Sequence, residues 1–156
     1  MKTLLKVVGG TVVILVTLFV IVRITGFNPN GPRAGLWLSG NLVSGPVTGW
    51  SFADSYKTIE VQTNTWYLIP HSVTIYCVSY ENHLYLQALG KMWNRNVIRD
   101  PHVRIKIANE LYDRAVVYVN DPPEYWGVVQ MMAKKYPGWT PIKDFTPNAF
   151  LRVIDN

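Results

Sequence analysis

One stretch of the chain brings cationic, amide and aromatic side chains together at the predicted start of a helix. It spans residues 87–101, passes through Gly90 and holds Lys91, Trp93, Asn94, Arg95 and Asn96. Backbone amides at a helix N-terminus, together with Lys and Arg cations, bind phosphate oxygens. The pattern predicts a phosphate cradle, with a solvated basic helix as the alternative. Trp93 is interpreted either as a ring that stacks on a flat ligand or as a residue that anchors the helix to the rest of the domain.

The three histidines and the single cysteine give little support for metal or nucleophile chemistry. His71, His83 and His102 lack the i, i+4 spacing and the HExxH pattern of metal ligands. His71 remains of interest because it precedes Ser72 at the entrance of the strongest predicted strand. Cys77 lies in the middle of that strand among apolar neighbours, which predicts a buried structural thiol. No G-x-S-x-G motif, P-loop or dinucleotide fingerprint occurs, so no catalytic triad is predicted.

Alternating apolar and polar residues predict the elements that would position these side chains. The predicted strands are residues 35–43, 59–63, 73–80, 83–87, 102–108, 112–119 and 150–154. One short helix is predicted at residues 93–99 and a second from about residue 122 to about residue 135. The second has Asp121 as N-cap, Pro122 at its first position and Glu124 to complete a capping box. Antiparallel strands with two helices predict a mainly β (α+β) small barrel with packed helices.

Charge and composition exclude several classes of protein. Three of the fifteen basic residues precede Asn28, and all ten acidic residues follow it, so the remainder carries a charge of about +2. This charge is too small for a nucleic-acid binder. The single cysteine excludes an intramolecular disulfide framework and a cysteine-rich zinc site. The hydrophobic content of 49% provides enough apolar material for a packed core.

The first part of the chain predicts a membrane anchor. Residues 7–22 carry no charge and are flanked by Lys6 and Arg23. With snorkelling flanks they reach the roughly 20 residues that a bilayer core requires. A cleaved signal peptide is the alternative, but no small-x-small cleavage site follows Val22. The charges of Lys2 and Lys6 predict a cytoplasmic N-terminus, with the domain outside, which in a bacterium is the periplasm. We expect an anchor over residues 1–27, a linker over 28–34 and the barrel domain over 35–156.

From Ser72 to about Pro137 the predicted elements follow the order strand, tight turn, strand, basic loop, hairpin and acidic-start helix. Within this part, the motif W-x-x-N-V-x-x-D-P-x-V is spelled by Trp93, Asn96, Val97, Asp100, Pro101 and Val103. In this order and this motif the chain resembles the split β-barrel flavoproteins. The resemblance is to the deazaflavin-dependent nitroreductase-like branch and to the wider pyridoxamine phosphate oxidase-like superfamily. The family's Gly- and Arg-rich approach to the first strand is absent, and residues 65–71 read TWYLIPH there.

The resemblance implies a split β-barrel that binds FMN or a deazaflavin. It implies that the basic loop holds the cofactor phosphate through Gln87, Lys91, Trp93, Asn94, Arg95 and Asn96. It implies that His71, Ser72 and Thr74 approach the cofactor ring. Because split barrels usually place the cofactor between two subunits, it also implies a homodimer.

The apolar N-terminal segment and the resemblance together imply a membrane-anchored flavin- or deazaflavin-binding split-barrel protein with oxidoreductase activity. The alternative is a non-enzymatic protein that binds a flavin, a haem or another flat ligand, or an accessory subunit of a membrane complex. The sequence shows no obvious acid–base pair, which keeps this alternative open.

Overall fold

The computed structural model of the chain describes residues 2–88, 92–140 and 143–155. The helices are α1 (Lys2–Thr25), α2 (Met92–Arg99) and α3 (Pro122–Lys135), and a 3-10 helix covers Ser51–Ser55. The strands are β1 (Asn41–Leu42), β2 (Ile59–Thr63), β3 (His71–Ile75), β4 (Cys77–Tyr80), β5 (His83–Gln87), β6 (His102–Ile107), β7 (Glu110–Tyr118) and β8 (Phe150–Ile154).

Seven of these strands form one sheet that closes on itself. The order of hydrogen-bonded neighbours is β3-β2-β6-β7-β8-β5-β4, and every pair along this path is antiparallel. The two ends of the path, β3 and β4, are consecutive in the chain and are separated by Tyr76 alone. Because one nearly continuous strand supplies both ends of the sheet, the sheet forms a barrel. The short β1 lies off this path and pairs in parallel with the start of β7.

Two cores follow from the alternation of side chains along the strands. On β2, Ile59, Val61 and Thr63 are buried, and the residues between them are half-buried. The inward positions of β2, β4, β5, β6, β7 and β8 meet in the barrel interior. On the outer side, Val78 and Tyr85 pack with the buried face of α3, which includes Tyr125 and Val128. Burial on both faces therefore holds the barrel and α3 together.

The cap of α3 is half of the predicted capping box. The Asp121 carboxylate accepts the Glu124 backbone N–H at 3.0 Å. The Glu124 carboxylate accepts instead from the Tyr85 hydroxyl at 2.7 Å and from Arg152 at 2.8 Å. The Glu124 carboxylate, which the capping-box pattern assigns to the helix cap, therefore links α3 to β5 and β8 instead.

The barrel prediction is confirmed, including the apolar helix that precedes it, and two strand predictions are corrected. Of residues 35–43, only Asn41–Leu42 forms a strand. Gly35 forms only an isolated bridge with Ser72. The backbone N–H groups of Leu38 and Ser39 donate to side chains instead, to Gln62 Oε1 at 2.8 Å and to Asn28 Oδ1 at 3.0 Å. The predicted strand 73–80 is two strands, because Tyr76 carries the chain from one end of the sheet to the other.

The N-terminal helix α1 ends at Thr25 and leads directly into contacts with the barrel. Gly26 follows with φ +78°, and a Cβ atom there would lie 2.7 Å from Ser39 Cβ, so only glycine fits. The Phe27 N–H then donates to the Trp37 carbonyl at 2.7 Å. The Trp37 ring packs edge-on against Phe19 of α1, with ring centroids 5.4 Å apart. The end of α1 is thereby fixed against the segment that precedes β1.

Candidate functional site at the α2 end of the barrel

Helix α2 lies across one end of the barrel. Its inward side chains, Trp93 and Val97, belong to the interior core, and Trp93 is 1% exposed. The Asn96 side-chain amide donates to Thr63 Oγ1 at the end of β2, at 3.0 Å. The Tyr118 hydroxyl at the end of β7 donates to Asn94 Oδ1 at 2.6 Å. The burial of the Trp93 ring supports the interpretation in which Trp93 attaches α2 to the barrel, rather than the one in which it stacks on a ligand.

Two buried polar atoms at this end have no hydrogen-bond partner within the described residues. They are the indole Nε1 of Trp93 and the Nδ1 of His71. His71 pairs with Thr63 in the register of β2 and β3, and Thr63 in turn binds Asn96. Buried polar atoms are almost always satisfied in folded proteins. An unsatisfied donor and an unsatisfied imidazole nitrogen at one end of the barrel therefore mark this end as a candidate ligand site.

Burial lowers the pKa of His71 below its ordinary value of 6.5. The unfolded chain keeps the ordinary value, so it binds a proton at a higher pH than the folded chain does. Consequently, His71 should make the free energy of unfolding decrease as the pH falls below neutrality and through 6.5. In urea titrations at several pH values, His71→Gln should flatten this dependence. The exposed His83→Gln is the matched control. Equal pH dependence in wild type and His71→Gln would contradict this assignment.

The basic residues between positions 91 and 106 are mostly engaged in contacts with other parts of the chain. Arg104 forms a two-pronged pair with Asp113 at 2.6 and 2.8 Å. Lys106 lies 3.7 Å from Glu60, and Arg99 donates to the Asn64 carbonyl at 2.5 Å. Arg95 is exposed and has no hydrogen-bond or ion-pair partner in the described part of the chain. Lys91 lies outside the described residues, so Arg95 is the described cation that is available to a ligand at α2.

The structure separates Ser72, Thr74 and Gln87 from this group. On β3, Val73 and Ile75 pack against the barrel interior, so Ser72 and Thr74 face outward. Ser72 is fully buried by the crossing backbone of Gly35, and its hydroxyl has no partner within the described residues. Gln87 ends β5 on the same face as Tyr85, toward α3, and its N–H donates to the Tyr76 carbonyl at 3.3 Å. The α2 end therefore gathers His71, Trp93, Asn94 and Asn96, with Arg95 on its surface.

A cavity that the sequence analysis missed lies at the C-terminal end of α3. It has a volume of about 670 Å³ and is lined by Asp54, Tyr76, Lys135, Tyr136 and Trp139, among others. The Lys135 ammonium donates to the Cys77 carbonyl at 2.9 Å and to the Asp54 carboxylate at 3.2 Å. Tyr76, the residue between β3 and β4, is part of the cavity lining.

Cys77 beside this cavity is a structural residue, as predicted. Its side chain is fully buried, and burial raises the pKa of the thiol. The Tyr136 hydroxyl donates to the Cys77 carbonyl at 2.7 Å and accepts the Cys77 N–H at 3.1 Å. Burial likewise raises the pKa of Tyr136. A thiol that stays protonated and buried is a poor nucleophile, so Cys77 does not form a reactive centre. The hydrogen bonds from Tyr136 instead hold the C-terminal end of α3 against the start of β4.

Comparison with known proteins identifies the fold. No protein-family model and no curated protein matches the chain. Among solved structures, an F420-H2 dependent reductase is similar, with 16% identity, a TM-score of 0.51, and coverage of 63% of this chain and 94% of the other. A conserved hypothetical protein from Mycobacterium tuberculosis gives 19% identity and a TM-score of 0.49, with coverage of 65% and 73%. A putative pyridoxamine 5'-phosphate oxidase from Listeria innocua gives 14% identity and a TM-score of 0.49, with coverage of 65% and 83%. The chain has the split-barrel fold of the reductase.

Proposed function

We propose that the chain is a membrane-anchored split-barrel protein that binds a phosphorylated flavin or deazaflavin at the α2 end and acts as an oxidoreductase. The observation that carries the proposal is the pair of unsatisfied buried atoms, His71 Nδ1 and Trp93 Nε1, on the end where Arg95 is available. The similarity to a reductase whose name specifies reduced F420 supports the choice of cofactor class.

The residues at this end fit such a cofactor. Arg95, Lys91 and the first turn of α2 would hold the phosphate. The Asn94 amide nitrogen and the Asn96 carbonyl oxygen have no partner within the described residues and would bind polar groups of the ligand. His71 would approach the ring as a neutral imidazole, because burial lowers its pKa. When bound, the cofactor would supply hydride or electron transfer, and the chain would supply binding and orientation.

The absorption spectrum of the chain purified in detergent tests this proposal. We expect the visible bands of a flavin or deazaflavin, and we expect denaturation to release a phosphorylated compound that mass spectrometry can identify. If none co-purifies, added FMN or deazaflavin should bind. A chain that neither contains nor binds either compound would contradict the proposal. A haem band in their place would support the alternative ligand class.

Binding without catalysis is the second candidate function. In the described part of the chain, His71 at the α2 end has no carboxylate partner, and no group of three metal-ligating side chains occurs. General acid–base catalysis normally relies on such a positioned partner. A chain that binds the cofactor but never exchanges electrons between it and added acceptors would be a carrier or an accessory subunit.

We also propose that α1 anchors the protein in a membrane. Lys6–Thr25 is long and apolar enough to span a bilayer, with a mean hydropathy of 2.6, and none of it is buried in the structure. In this proposal residues 1–27 form the anchor, 28–34 connect it, and 35–156 form the barrel domain outside, with the N-terminus cytoplasmic. Alkaline carbonate should leave the full chain in the membrane fraction. A soluble mature protein that begins near residue 24 would identify a cleaved signal instead.

The exposed face of α2 supports a homodimer. Met92 and Ile98 are 68% and 70% exposed and flank Arg95 on this face. Large apolar side chains beside a binding site are typical of an interface between subunits. Detergent-corrected light scattering at micromolar concentration should therefore give a dimer, and Ile98→Lys should give a monomer. Leu42→Lys, at an exposed apolar position on β1, is the matched control. A wild-type monomer would contradict the proposal.

A further inference from the structure

The loop between β2 and β3 presents three consecutive apolar side chains to solvent. Trp66 and Leu68 are 79% and 89% exposed, and Tyr67 between them is also exposed. The loop is compact, because Thr65 Oγ1 donates to the Ile69 carbonyl at 2.5 Å and the Trp66 and Tyr67 rings pack edge-on, with centroids 5.4 Å apart. Exposed apolar side chains that lie side by side on a compact loop are typical of a surface that binds a membrane, a protein or a ligand. We call residues 66–68 the apolar tip.

The apolar tip lies beside the end of α1. Leu68 and Thr65 line a cavity of about 360 Å³ together with Arg23, Trp37, Pro70 and Asp100. Arg23 is the first charged residue after the apolar run of α1, and its guanidinium lies 6.0 Å from the Trp37 ring. The point at which α1 would leave the hydrocarbon core is therefore adjacent to the tip.

The base of the loop is held to the C-terminal end of α2 and lies beside two cations. The Asn64 side chain donates to the Asp100 carboxylate at 2.8 Å, and Arg99 donates to the Asn64 carbonyl. This pair of bonds ties Asn64, two residues before the tip, to the end of α2. Near the tip, the positive charges of Arg99 and Arg23 outnumber the one negative charge of Asp100. This net positive charge favours contact with anionic lipid headgroups.

We propose that the apolar tip inserts into the headgroup region of the bilayer that α1 spans, so that the barrel rests on the membrane at two points. Trp and Tyr are enriched at this depth because their rings combine an apolar body with a polar group. The cation of Arg23 would lie at the same boundary. The inference rests on the proposal that α1 is a membrane anchor. The occupant of the surface is the bilayer, since the tip adjoins the apolar helix.

Depth-dependent quenching of the full chain in lipid nanodiscs tests the proposal. An environment-sensitive fluorophore is attached to Leu68→Cys, to Leu15→Cys within α1, or to Ala133→Cys. Ala133 is exposed on α3, and Lys135 of the same helix donates to the Cys77 carbonyl. The extended chain from Cys77 to His71, which lies beside the tip, spans about 20 Å. The label at residue 133 is therefore far from the tip. The native Cys77 is fully buried and should not react. The lipids are zwitterionic, with or without an anionic fraction, and carry a nitroxide either near the headgroup or at the acyl-chain end.

We expect the label at residue 68 to lose most of its emission to the headgroup nitroxide and little to the chain-end nitroxide. The label at residue 15 should show the opposite pattern, and the label at residue 133 should be unaffected by either. Quenching at residue 15 without quenching at residue 68 would overturn the inference and leave the anchor proposal intact. No quenching at residue 15 would overturn the anchor proposal, and the inference with it. A label at residue 68 that is shielded only at high protein concentration would assign the tip to a second copy of the chain and overturn the inference.

Discussion

Trp93→Ala should lower the free energy of unfolding by about 3–5 kcal/mol, the cost of removing a large buried aromatic side chain. Trp93 is 1% exposed and lies with Val97 in the core that fills the barrel interior. Its removal would leave a cavity where α2 meets the end of the barrel. In a chain of this size the thermal midpoint should fall by on the order of 10 °C. Urea and thermal unfolding of the full chain in detergent measure both quantities.

Trp66→Ala is the matched control for this prediction. It removes the same side chain from a position that is 79% exposed, so the free energy of unfolding should change by no more than about 0.5 kcal/mol. If Trp93→Ala were as mild as Trp66→Ala but abolished cofactor binding, Trp93 would be a ligand-stacking residue and the core assignment would be wrong.

Removing the cations of α2 should weaken binding of a phosphorylated cofactor. A hydrogen bond to a charged group contributes about 1.5–3 kcal/mol. Arg95→Ala and Lys91→Ala should therefore each weaken FMN binding roughly 10- to 150-fold. Arg95 is exposed, so its loss should leave the fold stable. Isothermal titration with FMN measures the effect.

Lys134→Ala is the control for charge alone. Lys134 is an exposed cation on α3, and its removal should leave the affinity for FMN unchanged. If Lys91→Ala plus Arg95→Ala bound FMN as tightly as wild type, the phosphate cradle would be excluded. The two side chains would then form a solvated helix face.

Local signals explain what the sequence predicted well. Helix α3 begins where Asp121 and Pro122 predict it, because a cap is set by neighbouring residues. Strand β2 has the predicted boundaries, because alternating burial is visible in five residues.

Contacts between distant segments explain what could not be predicted. The break at Tyr76 exists because β3 and β4 pair with opposite ends of the sheet, and no local pattern encodes that pairing. Ser72 is buried because the Gly35 backbone crosses it. In the same way, Asn96 binds Thr63 from 33 residues away. Helix α2 could be predicted from its own residues, whereas the neighbours of His71 and the α3 cavity depend on the closed barrel.

The most direct test of the central claim compares FMN with riboflavin as ligands of the wild-type chain in detergent. The two compounds share the isoalloxazine ring and differ in the phosphate. If the α2 end holds a phosphate as proposed, FMN should bind about tenfold or more tightly than riboflavin, since even one charge-assisted hydrogen bond contributes that much. Equal affinity for the two compounds would contradict the account, and so would a chain that binds neither of them and does not bind a deazaflavin.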